Sequence, residues 1–361
     1  MMTGLPYAIW NHCCFCLLAL LISPVLSVAE SGMYFAADSL KTKKKSFFDE
    51  LHQDGCRTVT LTVDLQQVLK NRSTDETVKG QFTYWDSTEQ AISRSVKVQV
   101  RGKTRRKICD FPPLKLKFKK KELKKTHRGK FNTFKLVTHC LDSKNGTQNL
   151  LKELLAYRMY NRISEWSFRT QLLKITYIDS RDSTQRFEQY GFIIEDDEEL
   201  AERQTCELIK QLYNCPIQDF DQTEYLRFAL FQYMIGNTDW YIELLHNIKL
   251  MTPIESQSRK ILVPYDFDFS GLVSAAYAKP NPTFNQVNVR ERIFMGHCAD
   301  SSQMEEAIAR FHQEKDQFYE LIETMPLLTS KEKKKCRKYL DGFYKIIEKP
   351  GSWKKKLVSK D

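Results

Sequence analysis

The 361-residue chain lacks several signatures that would assign it at a glance. No Cys-x-x-Cys pair and no cysteine–histidine spacing of the zinc-binding kind occurs, which argues against a zinc site. No nucleophile elbow is present, so a serine or cysteine hydrolase of that type is disfavoured, although Asp239 and His246 keep a weaker hydrolase reading open. No internal repeat runs at a solenoid or propeller period. The first 29 residues contain no Lys, Arg, Asp or Glu. Within them, residues 13–26 form an almost wholly apolar run of 14, too short to cross a bilayer comfortably. Ser27-Val28-Ala29 then offers small residues where a signal peptidase reads, so residues 1–29 are expected to be a signal peptide cleaved after Ala29. The mature chain would begin at Glu30, be secreted or held at the cell surface or periplasm, and contain no membrane span. Left uncleaved, the same leader would act as an anchor.

Three of the ten cysteines lie in that leader, leaving Cys56, Cys109, Cys140, Cys206, Cys215, Cys298 and Cys336. Cys206–Cys215 would close the shortest loop, but seven is an odd number and spacing leaves the connectivity open. Asn71 and Asn145 stand in glycosylation sequons.

What is present points to a globular protein with a substantial core. The apolar fraction is 42%, and 22 residues are Phe. The net charge of +11 is concentrated, with nine basic residues between Lys115 and Lys130 against Glu122 alone. Such a patch suits a polyanion, or it is simply a solvated lysine-rich surface. Few aromatics are interleaved beyond Phe118 and Phe131, so no specific nucleic-acid contact is expected. Residues 30–195 read as β-rich, with an amphipathic helix at 149–163 carrying Glu153. Residues 196–361 read as mostly helical. Helices are predicted at 201–212 and 223–235, then at 302–324 and 330–347, with a frayed basic tail.

Residues 226–272 organise the rest. Residues 228–235 are apolar nearly all round, the pattern of a buried helix, and Gly236 stops it. Asn237 and Asp239 follow at the end of that rigid element. Two strand-like runs, 246–251 and 260–269, read as a hairpin. In the second, Asp266 and Asp268 alternate with Phe267 and Phe269, which on a strand would put both carboxylates on one face. Like charges held together need compensation, and a hard divalent cation on Asp266, Asp268 and Asn247 is the simplest source. The plainer alternative is a strand end with two carboxylates in water.

The order Asp239, Asn247, then an acid on the next strand matches the phosphotransferase core of kinases. In its detailed form, GNTDW…HN…VPYDFDFSG, the chain resembles the spore-coat CotH-like branch of atypical protein kinases. Arg101-Gly102 with Arg105-Arg106, FKLVTHC, LLKELLAYRMYN and YGFIIEDDEEL occur in the order found in that family, so the resemblance covers roughly residues 94–295. Two departures stand out. Asp239 and Asn247 lie eight apart, where the common kinase loop has five, and no glycine-rich phosphate loop is present.

The resemblance implies an α+β, atypical protein-kinase-like fold with a β-rich N-terminal lobe and a mostly helical C-terminal lobe. It implies transfer of the ATP γ-phosphoryl to a protein Ser or Thr, with Mg2+ or Mn2+. Asp239 would orient the acceptor. Asn247, Asp266 and Asp268 would hold metal. Lys135, paired with Glu153, would position phosphates, with Lys115 or Lys117 as substitutes. Glu195 and Asp196 would form the hinge beside the nucleotide, and Asn237 would adjoin it. The rival is a catalytically inactive pseudokinase or a structural surface protein that binds polyanions. Magnesium-dependent nucleotide binding separates the two.

Overall fold

The computed structural model describes residues 45–358 except 128, 213–214 and 257–258. The expected leader therefore lies outside the described residues. The first elements are α1 (Phe47–Leu51), β1 (Cys56–Val63), α2 (Leu65–Lys70), β2 (Val78–Trp85), β3 (Ala91–Val100), α3 (Arg105–Ile108), β4 (Leu114–Phe118), α4 (Lys120–Thr126) and β5 (Thr133–Val137). There follow α5 (Lys144–Ile163), β6 (Thr170–Asp179), β7 (Arg186–Ile194), α6 (Asp197–Arg203) and β8 (Cys206–Ile209). The chain continues through α7 (Gln222–Ile235), β9 (Ile248–Pro253), β10 (Ile261–Pro264), α8 (Ser301–Gln313), α9 (Lys315–Thr324), α10 (Ser330–Ile347) and α11 (Pro350–Leu357).

The first seven strands close into a barrel in the order β1-β2-β3-β4-β5-β7-β6. Closure comes from β1 pairing in parallel with β6, Cys56 opposite Leu172 through Val63 opposite Asp179, while the other neighbours are antiparallel. Alternation sends Val59, Leu61, Val96, Val98, Leu114 and Leu116 inward, where they pack with Tyr177 and Ile193. Helix α1 is fixed by a capping box, with Ser46 and Asp49 exchanging side-chain to backbone hydrogen bonds. Its buried Phe47 meets Phe118 edge-on, with ring centroids 4.9 Å apart, so the helix packs into the barrel core.

This closed barrel corrects the expectation of a two-lobed, kinase-like fold. A barrel joined to eleven helices among the described residues is not that architecture. Strand patterning marks each strand, but it is silent on whether the first and sixth meet across more than a hundred residues, and that pairing decides the fold.

The second core gathers α5, α7 and α8 to α11 around a three-stranded sheet, β10-β9-β8. Helix α7 is buried almost all round, as its sequence predicts, and Asp221 caps its start. It ends at Gly236 in the left-handed region, φ 64°. A Cβ at Gly236 or at Gly271 would collide with the Tyr339 hydroxyl of α10, so α10 can approach the site only over two glycines. Residues 201–212 are not one helix. Helix α6 stops at Arg203, and Cys206–Ile209 instead supply the edge strand β8, paired with β9. The predicted helix at 302–324 is two helices meeting at Glu314. No helix among the described residues is long and apolar enough to cross a membrane.

Candidate functional site

Three carboxylates from two elements converge on one guanidinium. Arg105 opens α3 and is buried. Its Nη1 lies 3.1 Å from Glu153 Oε2 of α5, its Nη2 contacts Asp266 Oδ1, and its Nε lies 3.3 Å from Asp268 Oδ2. Asp266 and Asp268 do not alternate on a strand as predicted, because β10 ends at Pro264. Asp266 sits just beyond it in the left-handed region at φ 65°. Its N–H donates to the Tyr157 hydroxyl at 2.9 Å, and Tyr157 packs edge-on against Phe267. That contact fixes the turn that brings both carboxylates to Arg105.

The charges balance within the cluster. Burial pulls the Arg105 guanidinium down, but Asp266, Asp268 and Glu153 outweigh it and hold it above its ordinary value. Burial pushes Asp266 up, yet Arg105 and Arg101 keep it below the usual carboxylate range, so it is ionised. Asp268 is driven far above that range by burial, with neighbouring Asp266 and Glu153 adding to the push against the pull of Arg105. Burial pushes Glu153 up to about 7 against the pull of Arg105. Among the described residues, Glu153 Oε1 and Asp268 Oδ2 have no hydrogen-bond partner. Asp268 Oδ2 is near Arg105 as an ion contact without hydrogen-bond geometry.

Lys135 lies on β5, as predicted, but its partner is not Glu153. It pairs with Asp197 Oδ1, while Asp197 Oδ2 takes Lys249 of β9 at 2.6 Å. The expected pairing fails because Arg105 already occupies Glu153. Both lysines lie over the Tyr265 ring, at 4.9 and 5.4 Å from its centroid. Burial lowers the Lys135 ammonium despite Asp197, whereas Asp197 outweighs burial at Lys249 and raises it.

Lys135, Asp197 and Lys249 wall a cleft of about 1010 Å³ lined also by Arg101, Lys103, Lys115, Lys117 and Asp196. Arg101 links the cleft to the carboxylate cluster, since its charge acts on Lys135, Lys249, Glu153 and Asp266 alike.

Beside the cleft, α7 delivers the third group. Asn237 is buried and donates from Nδ2 to Gln232 Oε1 at 3.1 Å, and its own Oδ1 accepts from the Asp239 N–H at 3.1 Å. Asp239 is held from two sides. Asn247 Nδ2 donates to its carbonyl at 2.8 Å and to Oδ2 at 2.9 Å, and His246 Nε2 lies 3.1 Å from Oδ1. A third of the Asp239 side chain remains exposed. Asn247 sits at φ 54°, and its carbonyl accepts from the Tyr265 N–H, so the loop is locked to the residue before Asp266. Leu245 and Ile248, which flank His246 and Asn247, line the cleft.

The hinge residues have defined places. The Glu195 carboxylate is fully buried between Arg169 at 2.6 Å and Arg203 at 3.0 Å, a structural tie at the end of β7. Asp196 caps α6 and lines the cleft. Sequence reading missed Arg105, Asp197 and Lys249 as site residues. Arg105 belongs to the Arg101-Gly102 and Arg105-Arg106 motif, and Asp197 to the acidic end of YGFIIEDDEEL, motifs that carry no site role for either. Cys109, which ends α3, is disulfide-bonded to Cys140, while Cys206 and Cys215 remain thiols.

Among the described residues no group of three or more His, Cys, Asp or Glu is arranged to hold a metal. The donors do fit an ion that arrives with a polyphosphate, since magnesium needs only one or two carboxylates when phosphates complete its shell. Asp266 is ionised and its side chain is 23% exposed, which suits that part. No family model matches the chain, and no curated protein matches it.

Proposed function

We propose that this chain is a phosphotransferase that moves the γ-phosphoryl of ATP to a Ser or Thr hydroxyl of an exported protein, with chemistry like that of the CotH-like kinases its motifs resemble. The observation that carries this reading is the cationic cleft whose wall passes directly into the loop that holds Asp239. Lys135, Lys249 and Arg101 would draw the triphosphate and orient it. Asp239, steered by Asn247 and His246, would accept the hydroxyl proton at its carboxylate as the new O–P bond forms and the bond to the diphosphate breaks. Magnesium, or manganese in its place, would supply charge neutralisation on the phosphates. Asp266 would hold it, with Asn247 beside it. Asp268 stays on Arg105 and fixes the position of Asp266. Asp196 and the backbone near Glu195 would border the adenine.

A second reading is favoured by one specific observation. Arg105 already compensates Asp266 and Asp268, so the fold stands without metal and could serve as an inactive pseudokinase or a polyanion-binding surface protein. Thermal melting with magnesium and ATP decides between them. At ligand about 100 times its dissociation constant, mass action adds about 2.7 kcal/mol to stability. Asp266→Ala should lose the magnesium-dependent part of that shift. Asp239→Asn should keep the shift and lose phosphoryl transfer to a Ser peptide by at least about a hundredfold. No shift at saturating magnesium and ATP would leave the inactive reading standing.

A further inference from the structure

The outer face of the barrel carries like charges in register. Lys79 of β2 stands opposite Lys97 of β3, and Lys97 stands opposite Lys117 of β4. One row along, Lys115 stands opposite Lys135. The alternation that buries Val96, Val98, Leu114 and Leu116 turns these lysines outward, and Lys79, Lys97 and Lys117 are all exposed. Residues directly opposite across strands have Cβ atoms about 4.5–5.5 Å apart, and like charges there are destabilising. Elsewhere on the same strands the outward rows are neutral and self-satisfied, as where the Thr83 hydroxyl donates to the Ser93 hydroxyl. Lys79, Lys97 and Lys117 have no ion pair among the described residues, whereas around α4 Lys119 pairs with Glu122, His127 with Glu50 and Lys130 with Glu202. A hollow of about 690 Å³ lies along this ladder and shares Lys117, Lys120 and Asn132 with the cleft.

We infer that this ladder is a docking surface for an acidic segment of a partner protein. Charge complementarity selects a polyanion, and the side chains around the ladder select which kind. Single-stranded nucleic acid calls for exposed rings on which bases stack. The two rings of this stretch, Phe118 and Phe131, are buried, and Trp85 lies at the far end of β2 from Lys79. An extended peptide presents same-side carboxylates every second residue, about 6.6–6.8 Å apart, within reach of lysines spaced one strand apart. The surface goes beyond the phosphoryl-transfer reading and stands without it, since binding here needs neither nucleotide nor Asp239.

The test is fluorescence anisotropy with a labelled Glu/Ser repeat peptide, its Gln/Ser counterpart, and an oligothymidylate of equal charge. Wild-type protein should bind the Glu peptide, more weakly as salt rises, and bind the Gln peptide and the oligonucleotide less well. Lys97→Glu places an acid between Lys79 and Lys117. It should raise the melting temperature while weakening the Glu peptide about tenfold, one lost and one repulsive surface contact. Lys97→Arg should keep the binding. The inference is overturned if Lys97→Glu binds the Glu peptide like wild type, if it melts lower, or if the oligonucleotide binds as well as the peptide.

Discussion

The Arg105 cluster and the lysine-lined cleft solve opposite electrostatic problems a short distance apart. In the cluster, acids outnumber bases and burial is nearly complete, so one guanidinium held charged by three carboxylates offsets them, and burial raises the proton affinity of Asp268. In the cleft, bases outnumber acids, and the excess faces water, where it costs little. A buried site must be balanced to exist, whereas an open one can stay unbalanced and await a ligand. The imbalance that names the ligand is therefore found in the cleft, and the cluster supplies rigidity.

The largest effect should come from unbalancing the cluster. Arg105→Ala leaves Glu153, Asp266 and Asp268 around an uncompensated site and should cost about 3–5 kcal/mol in urea unfolding, with Arg105→Lys recovering part. Slightly smaller is the loss of the tether that holds α3 there. Cys109 and Cys140 close a loop of separation 31. Replacing both by Ser should cost about 3–4 kcal/mol by the chain-entropy relation.

The pH dependence of stability tests the proton in the cluster. Glu153 has a folded value of about 7 against an ordinary 4.5, so the folded state keeps a proton that the unfolded chain has released. Stability should therefore fall as pH rises from about 4.5 to about 7, and level off above, by at most about 3 kcal/mol from this group. Asp266 has the opposite sign. Held below its ordinary value, it contributes stability that is lost as pH falls through its folded value. Glu199 is also pushed up to about 7 by burial, so the Glu153 part is read as the difference between wild type and Glu153→Gln. An unchanged slope in Glu153→Gln would remove Glu153 from the pH response.

Much of this contrast was legible in the sequence, though not its partners. The apolar run of α7, the glycine that ends it and the hairpin of β9 and β10 follow from local pattern, and so does the placement of Lys135 on a strand. The partners are non-local. Arg105 meets Asp266 across 161 residues, and no periodicity records that. The sequence shows that Asp266 and Asp268 need compensation, and a metal is its simplest local source. The cation present is Arg105, one of several bases in residues 101–106, with nothing local to single it out. Ala201 to Leu212 has no breaker and so predicts a helix, but the pairing of β8 with β9 outweighs that weak local preference.

The smallest predicted effect on stability separates the two regions most cleanly. Asp197 is the one acid that both cleft lysines share, and its carboxyl is held below the usual range by Lys135 and Lys249 against the upward push of burial. Asp197→Asn removes that charge and keeps a polar side chain of the same shape. The two ammonium groups then repel across Tyr265, so stability should drop by about 1 kcal/mol, as expected for a partly exposed pair. The cluster, balanced by its own charges, should keep its pH response. If the cleft takes phosphate groups, Asp197 competes with them in the free protein, and its loss should tighten inorganic tripolyphosphate by roughly three- to tenfold, measured by calorimetry at fixed salt. A weaker tripolyphosphate complex in Asp197→Asn would mean that Asp197 positions the lysines instead of competing for them. Unchanged binding would take Lys135 and Lys249 out of the ligand site, and with them the cleft's claim to the triphosphate.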